Sequence, residues 1–225
     1  MEIIGNPILH KVDKLCMELA KILYRAQSSL DCYITISLNA KEANKRKWLS
    51  GYLGYIQTLA LEDYVMNMCK VFTHSSHGGY EYNSIRNILK VIADNSLASE
   101  NVAELVTYVK KYGLGKHVNK PIEVQFQRLC SKKIKDFHKI IERLEEARNK
   151  AIAHSEMDYV KSDLPSISDM EEILNFGVEF YKVAVSSFLP NIFPVNLDKE
   201  NRMKRRSFKL LQELGLKNIK FDFDD

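Results

Sequence analysis

With 225 residues, 45% of them apolar and 28% charged, the chain has the composition of a folded globular protein and is long enough to bury a substantial core without staples. Nine glycines and five prolines are few for this length and favour helices. A net charge of +4 permits an anionic partner without requiring one.

The four cysteines, Cys16, Cys32, Cys69 and Cys130, are widely spread with no C-x-x-C pair, the pattern of reduced thiols in a cytosolic protein rather than of a disulfide framework or a metal site. No basic leader followed by a short apolar stretch opens the chain, so no signal peptide is expected. The most apolar stretch, Ile173 to Leu189, is interrupted by Glu179 and Lys182 and is not expected to span a membrane. The expected location is cytoplasmic.

In chain order, Ile8, Leu9, Val12, Leu15, Cys16, Leu19, Ile22, Leu23 and Ala26 recur at three- and four-residue spacing and predict an amphipathic helix from Ile8 to Gln27. In "DCYITISL" alternation and β-branching favour a strand, helix extension competes, and the helix is preferred. The charged "AKEANKRK" is expected on the surface. A second long helix follows from Trp48 to Phe72, with Trp48 expected in the core. "THSSHGGYEYNS" reads as a surface loop.

Shorter helices are predicted over Ser84 to Asp94 and Asn101 to Tyr112, the second opened by Asn101 and Glu104 as a capping box. Pro121 is placed as the first residue of one long helix carrying Ile122, Phe126, Leu129, Cys130, Phe137, Ile140, Ile141 and Leu144 towards "EEARNKAIAHSE". Ser168 and Glu171 match a second capping box. It opens a helix that Pro190 ends, antiparallel to the one before. Residues 1–190 therefore read as one all-α domain, a bundle of four main helices with short additional helices. Residues 191–225 read as a basic, partly helical C-terminal extension docked on that domain or on a second protomer.

Chemistry is harder to place. The chain has no phosphate-binding glycine loop, no G-x-S-x-G and no H-E-x-x-H, and no cofactor or metal is expected. His74 and His77 stand three apart in a polar loop without further ligands; His10, His117 and His138 stand alone. What remains is Arg148, Asn149 and His154 around Ala151, Ile152 and Ala153. An imidazole titrates near neutrality and serves as acid or base, and a guanidinium matches phosphate oxygens with a fork of donors. These groups suit cleavage of a phosphodiester by the neighbouring 2′-hydroxyl. Six residues along a regular helix set two side chains roughly 120° apart and about 9 Å along the axis, so one straight helix does not aim both at one phosphate. Either the helix loosens at its end, or two copies of the motif meet across a two-fold axis.

"RNKAIAH" resembles the R-x(4–6)-H motif of HEPN domains, with the usual polar residue after the arginine, near the end of a long helix that another follows. The run of helices from Ile8 to Leu189 resembles the abortive-infection, AbiU-type branch. The resemblance implies a HEPN-like helical bundle, a homodimer with apposed motifs, and a metal-independent endoribonuclease acting as a toxin or phage-defence effector on RNA. It implies catalytic roles for Arg148 and His154, supported by Asn149, and a cognate antitoxin such as a minimal nucleotidyltransferase. Glu156 and Asp158 are candidates to orient His154. Lys139, Arg143 and Lys150 are candidate RNA contacts, with Lys132, Lys133, Lys135 and, in the tail, Lys204, Arg205 and Arg206 as further cations. The alternatives are a non-catalytic HEPN-like dimer that binds an antitoxin or nucleic acid, and a plain helix face on which Arg148 and Lys150 pair with Glu145 and Glu146.

Overall fold

Asn6 opens the first helix: its side-chain oxygen accepts the backbone N–H groups of Ile8 and Leu9 at 2.9 and 3.4 Å, while Pro7, with no N–H to lose, stands at the start of the helix. The computed structural model describes residues 6–72, 76–77, 80–81, 83–112, 120–153, 164–189, 192–197, 202–216 and 219–220. In it this helix, α1, runs Pro7–Ala43 without a break. The stretch in which a strand competed is helical. The hydroxyls of Thr35 and Ser37 donate to the carbonyls of Asp31 and Tyr33, four residues back, at 2.7 and 2.8 Å, and Ile34 and Ile36 are buried in two different clusters. Of the charged segment after it, Ala43 is buried and Lys45 to Lys47 are exposed.

Helix α2 (Lys47–Phe72) lies antiparallel to α1, because Ser29 donates to Asp63 and Gln57 donates to Ser37. Trp48 is exposed, contrary to its expected place in the core: the neighbouring Leu49 and Leu53 occupy the inward face, and Trp48 sits about 100° round the helix from Leu49. Within the expected loop, β1 (Ser76–His77) and β2 (Tyr80–Glu81) form a two-rung antiparallel hairpin. Helices α3 (Ile85–Asp94) and α4 (Val102–Lys111) are capped by Ser84 and Asn101, which accept from the backbones of Asn87 and Glu104.

The expected single helix after Pro121 is two, α5 (Ile122–Asp136) and α6 (His138–Ala153). Phe137 takes φ −82° and ψ 4°, off the helical value, with its ring against Phe176 at 5.6 Å between centroids. The break is local, since the Phe137 N–H still reaches the Lys133 carbonyl and the Ile141 N–H the Phe137 carbonyl, each at 3.0 Å. Pro121 stands at the cap, one residue before its expected position.

Helix α7 (Ile167–Phe188) opens on Ser166 and Asp169 rather than Ser168 and Glu171. Each side chain accepts the other's backbone N–H at 3.1 Å, so an S-x-x-D box two residues earlier does the same work, directly after buried Leu164 and Pro165. Phe126 meets the rings of Phe180 and Phe188, and Phe137 meets Phe176, so α7 runs antiparallel to α5. The Tyr64 hydroxyl donates to the Met170 carbonyl at 2.7 Å and Phe72 stacks on Phe176, so α7 runs parallel to α2. Where α7 crosses α1 the contact is close at a glycine: a Cβ on Gly177 would stand 2.8 Å from Leu23 Cδ2, so that side chain would have to shift, and 3.7 Å from Val71. No helix among the described residues is long and apolar enough to cross a membrane. Cys16, Cys69 and Cys130 form no disulfide and are buried in the core.

Helix α8 (Arg202–Glu213) covers the far end of the α1–α2 pair, where Leu211 and Leu216 join Ile36, Ala43, Leu49 and Leu53 in a second, smaller cluster. Gly215, at φ +76°, ends the helix, and Arg46 donates to the carbonyls of Leu214 and Gly215, each at 3.0 Å. Asn39, buried in α1, donates to the Lys220 carbonyl at 3.0 Å and accepts its N–H at 2.7 Å.

Two outcomes follow from this packing. Gly177→Val should destabilise the fold by about 1–3 kcal/mol through overpacking against Leu23, lowering the melting temperature by roughly 2–4 °C per kcal/mol in a chain of this size. Asn39→Ala should remove three hydrogen bonds, two to Lys220 and one to the Thr35 carbonyl, worth about 0.5–1.5 kcal/mol each, and speed amide exchange at Lys220, while amides in the α1–α7 contact keep their protection.

Candidate active site at the end of helix α6

On α6, Ile141, Leu144 and Ala147 are buried, and with Phe137 they make the stripe that packs the helix along α2. Phe137 is level with Phe72, since both rings lie on Phe176. Arg143 donates to the carbonyl of Leu164, just ahead of α7, whose Met170 is level with Tyr64. Helix α6 therefore runs back along α2, antiparallel to it.

Arg148 falls four residues after Leu144 and continues that stripe, so a cation stands where the pattern would place an aliphatic side chain. It is half-buried. Its Nε and Nη2 both donate to Asn149 Oδ1, at 3.2 and 3.1 Å, which fixes the plane of the guanidinium. Its charge also reaches across to α2. Burial pushes the Cys69 thiol up to about 11, while the Arg148 guanidinium pulls the other way and Glu145 adds to the rise.

Of the sequence-derived site, the structure brings Arg148 and Asn149 together. His154 lies outside the described residues, as do Glu156 and Asp158. The candidate RNA contacts do not share the Arg148 face. On the helical wheel Lys150 and Lys139 project about 160° and 180° away from it and Arg143 about 140° away. Lys139 and Lys150 are exposed, whereas Arg143 is half-buried and engaged with the Leu164 carbonyl. Lys132 and Lys135 are also exposed, and the Lys133 ammonium sits over the Tyr112 ring at 4.8 Å. His138 Nε2 is 3.8 Å from Glu142, and His10 is exposed. His117, His74 and the side chain of His77 lie outside the described residues. Among the described residues no three His, Cys, Asp or Glu side chains gather as a metal site.

Sequence reasoning named Glu145 beside the arginine, in the plain-helix-face alternative, but did not identify Cys69. Glu145 was legible, three residues before Arg148 on one helix face. Cys69 belongs to another helix, and nothing local signals it.

The family model for AbiU2, a HEPN-type domain, matches residues 7–200, from the first residue of α1 past the end of α7. No curated protein and no solved structure matches the chain significantly. With 7–200 accounted for in this way, the chain belongs to the AbiU2 family of HEPN-type abortive-infection domains.

Proposed function

We propose that this AbiU2 domain is a metal-independent endoribonuclease, a toxin or phage-defence effector, whose site is shared by two copies of the chain. The observation that carries the reading is the Arg148 guanidinium, oriented by Asn149 near the end of α6 with donors left for a phosphate. Arg148 binds the scissile phosphate and stabilises the charge that builds on it. Asn149 is a positioning residue. His154 of one copy takes the proton of the 2′-hydroxyl as its oxygen bonds to phosphorus. The second copy's histidine gives a proton to the 5′ oxygen as the P–O5′ bond breaks. The products are a 2′,3′-cyclic phosphate and a 5′-hydroxyl.

Lys139 and Lys150 contact the RNA away from the scissile phosphate, on the opposite side of α6. That orientation favours one rival, a non-catalytic dimer that holds nucleic acid or an antitoxin such as a minimal nucleotidyltransferase through its basic face. In the rival, expression is harmless or toxic regardless of His154.

With purified protein and cellular RNA in chelator at neutral pH, fragments should carry 2′,3′-cyclic phosphate ends. His154→Ala should lower the rate by roughly 10² to 10⁴, and a variant that cuts as well as the parent would sink the assignment. Asn149→Ala should slow cleavage less than Arg148→Ala, because it releases the guanidinium without removing it. The pH–rate profile should be bell-shaped, since one imidazole must be neutral and the other protonated; a monotonic profile argues for a single titrating group.

A further inference from the structure

Along α5 and into α6, Arg128, Lys132, Lys135 and Lys139 follow one another at intervals of four, three and four residues, so their side chains share one face of the helix. The backbone hydrogen bonds carry on through Phe137, and Lys139 keeps the register of the other three. This face lies opposite the one that buries Phe126, Cys130, Ile134 and Phe137, and all four cations are exposed. Among the described residues none of them makes an ion pair, whereas Lys21, Lys45 and Lys111 each sit against a carboxylate. The net charge of the chain is +4, so this one row holds as much positive charge as the whole molecule carries in excess. Acids set its limits. Asp136 lies on its flank, and beyond Lys139 the same face carries Glu142, 3.8 Å from His138, and exposed Glu146.

A row of this kind fits phosphates. It is about 17 Å long from Arg128 to Lys139, and one strand of a nucleic-acid duplex sets roughly five phosphates over that length. No ring stands among the four cations, since Phe126 and Phe137 are buried. A single strand draws much of its binding energy from bases stacked on aromatic side chains, whereas a duplex hides its bases and is held through phosphates and 2′-hydroxyls. An acidic protein segment would also meet the charge, but a protein interface buries apolar side chains at its centre, and among the described residues α5 and α6 expose no large apolar side chain.

We propose that this face binds the phosphate backbone of a double-stranded arm of RNA. Lys139 and Arg148 are about 14 Å apart along the α6 axis and on opposite sides of it. The row therefore anchors a folded RNA without touching the phosphate that reacts, and base sequence plays no part in the contact. Its role in cleavage rests on the nuclease reading of Arg148 and His154; the binding does not.

Fluorescence anisotropy on the full chain carrying His154→Ala, which leaves the RNA intact, compares a labelled RNA hairpin with a single strand of the same length. Four phosphate contacts should give log affinity against log salt a slope of about −3.6 for the hairpin, a loss of roughly a hundredfold for a fourfold rise in salt. Lys135→Gln should reduce that slope by about 0.9, and Arg128→Gln, Lys132→Gln, Lys135→Gln and Lys139→Gln together should remove most of it without lowering the melting temperature. Lys14→Gln, Lys41→Gln, Lys70→Gln and Lys90→Gln, at exposed positions on α1, α2 and α3, should leave it in place. A full slope in the first four-glutamine variant overturns the proposal, and so does an equal loss in the second, which reduces the effect to overall charge. A single strand that binds as tightly as the hairpin and loses as much gives the face to unpaired RNA. Displacement of the hairpin by an oligoglutamate peptide of equal charge gives it to an acidic protein; either result overturns the proposal. Cleavage with His154 in place separates the two readings. The first variant should raise KM for a hairpin-armed substrate by about tenfold at unchanged kcat and cut a short single strand as the parent does. Hairpin binding by a parent that never cuts removes the nuclease and keeps the face, whereas cleavage at unchanged KM removes the face and keeps the nuclease.

Discussion

A helix of 37 residues is about 55 Å long, longer than a small domain is wide, and its apolar stripe must be covered from end to end. The arrangement of the rest of the chain answers to that demand on α1. Its first two thirds meet α7 and α3 in the main core, with Gly177 letting α7 come close enough to bury Leu23. Its last third meets the start of α2 and helix α8 in a separate cluster. Polar residues mark the seam: Asp31, Thr35 and Asn39 are all buried on α1. Gln27 serves Asp31, Thr35 turns to its own helix, and Asn39 turns to its helix and to Lys220. Each of these three is thus matched, whereas the hydroxyls of Tyr108 and Ser187 are buried without a hydrogen-bond partner.

The same logic makes Arg148 conspicuous. A stripe that is Phe137, Ile141 and Leu144 over its first turns ends in a cation, half-buried, with one neighbouring amide to hold it. A guanidinium keeps its charge in such a place and leaves donors pointing outward. For stability alone an aliphatic side chain would serve better there. Under the proposed function, an anion arriving at that end of α6 gives the arginine its purpose.

Much of the fold was legible because it is local. Periodicity marks α1, α2 and α7, and Asn101 caps the helix its position predicts. Errors came where a decision belongs to tertiary contacts. Helix α2 is apolar on almost every side, so spacing alone did not tell which residues would find a neighbour, and Trp48 faces out. Nothing in the letters around Phe137 forces a break; its contact with Phe176 accompanies one. Two serines in "SISD" each have an acid three residues on, and the earlier pair forms the cap. Of the site, Arg148 and Asn149 were readable from motif and helix position. That Lys139 and Lys150 point away from Arg148 needed only the 100° turn per residue.

The contact of Arg46 with the end of α8 bears on how the chain folds. Arg46 sits in the turn between α1 and α2, two helices that close on each other as immediate neighbours, yet its carbonyl partners lie 168 and 169 residues further on. Bringing such distant ends together carries a loop-closure penalty that a helical hairpin escapes, and topology of this kind slows the step that needs it. The hairpin can therefore form early with its far end still open, and the small cluster under α8 closes as a late event, after the main core has restricted the chain between them.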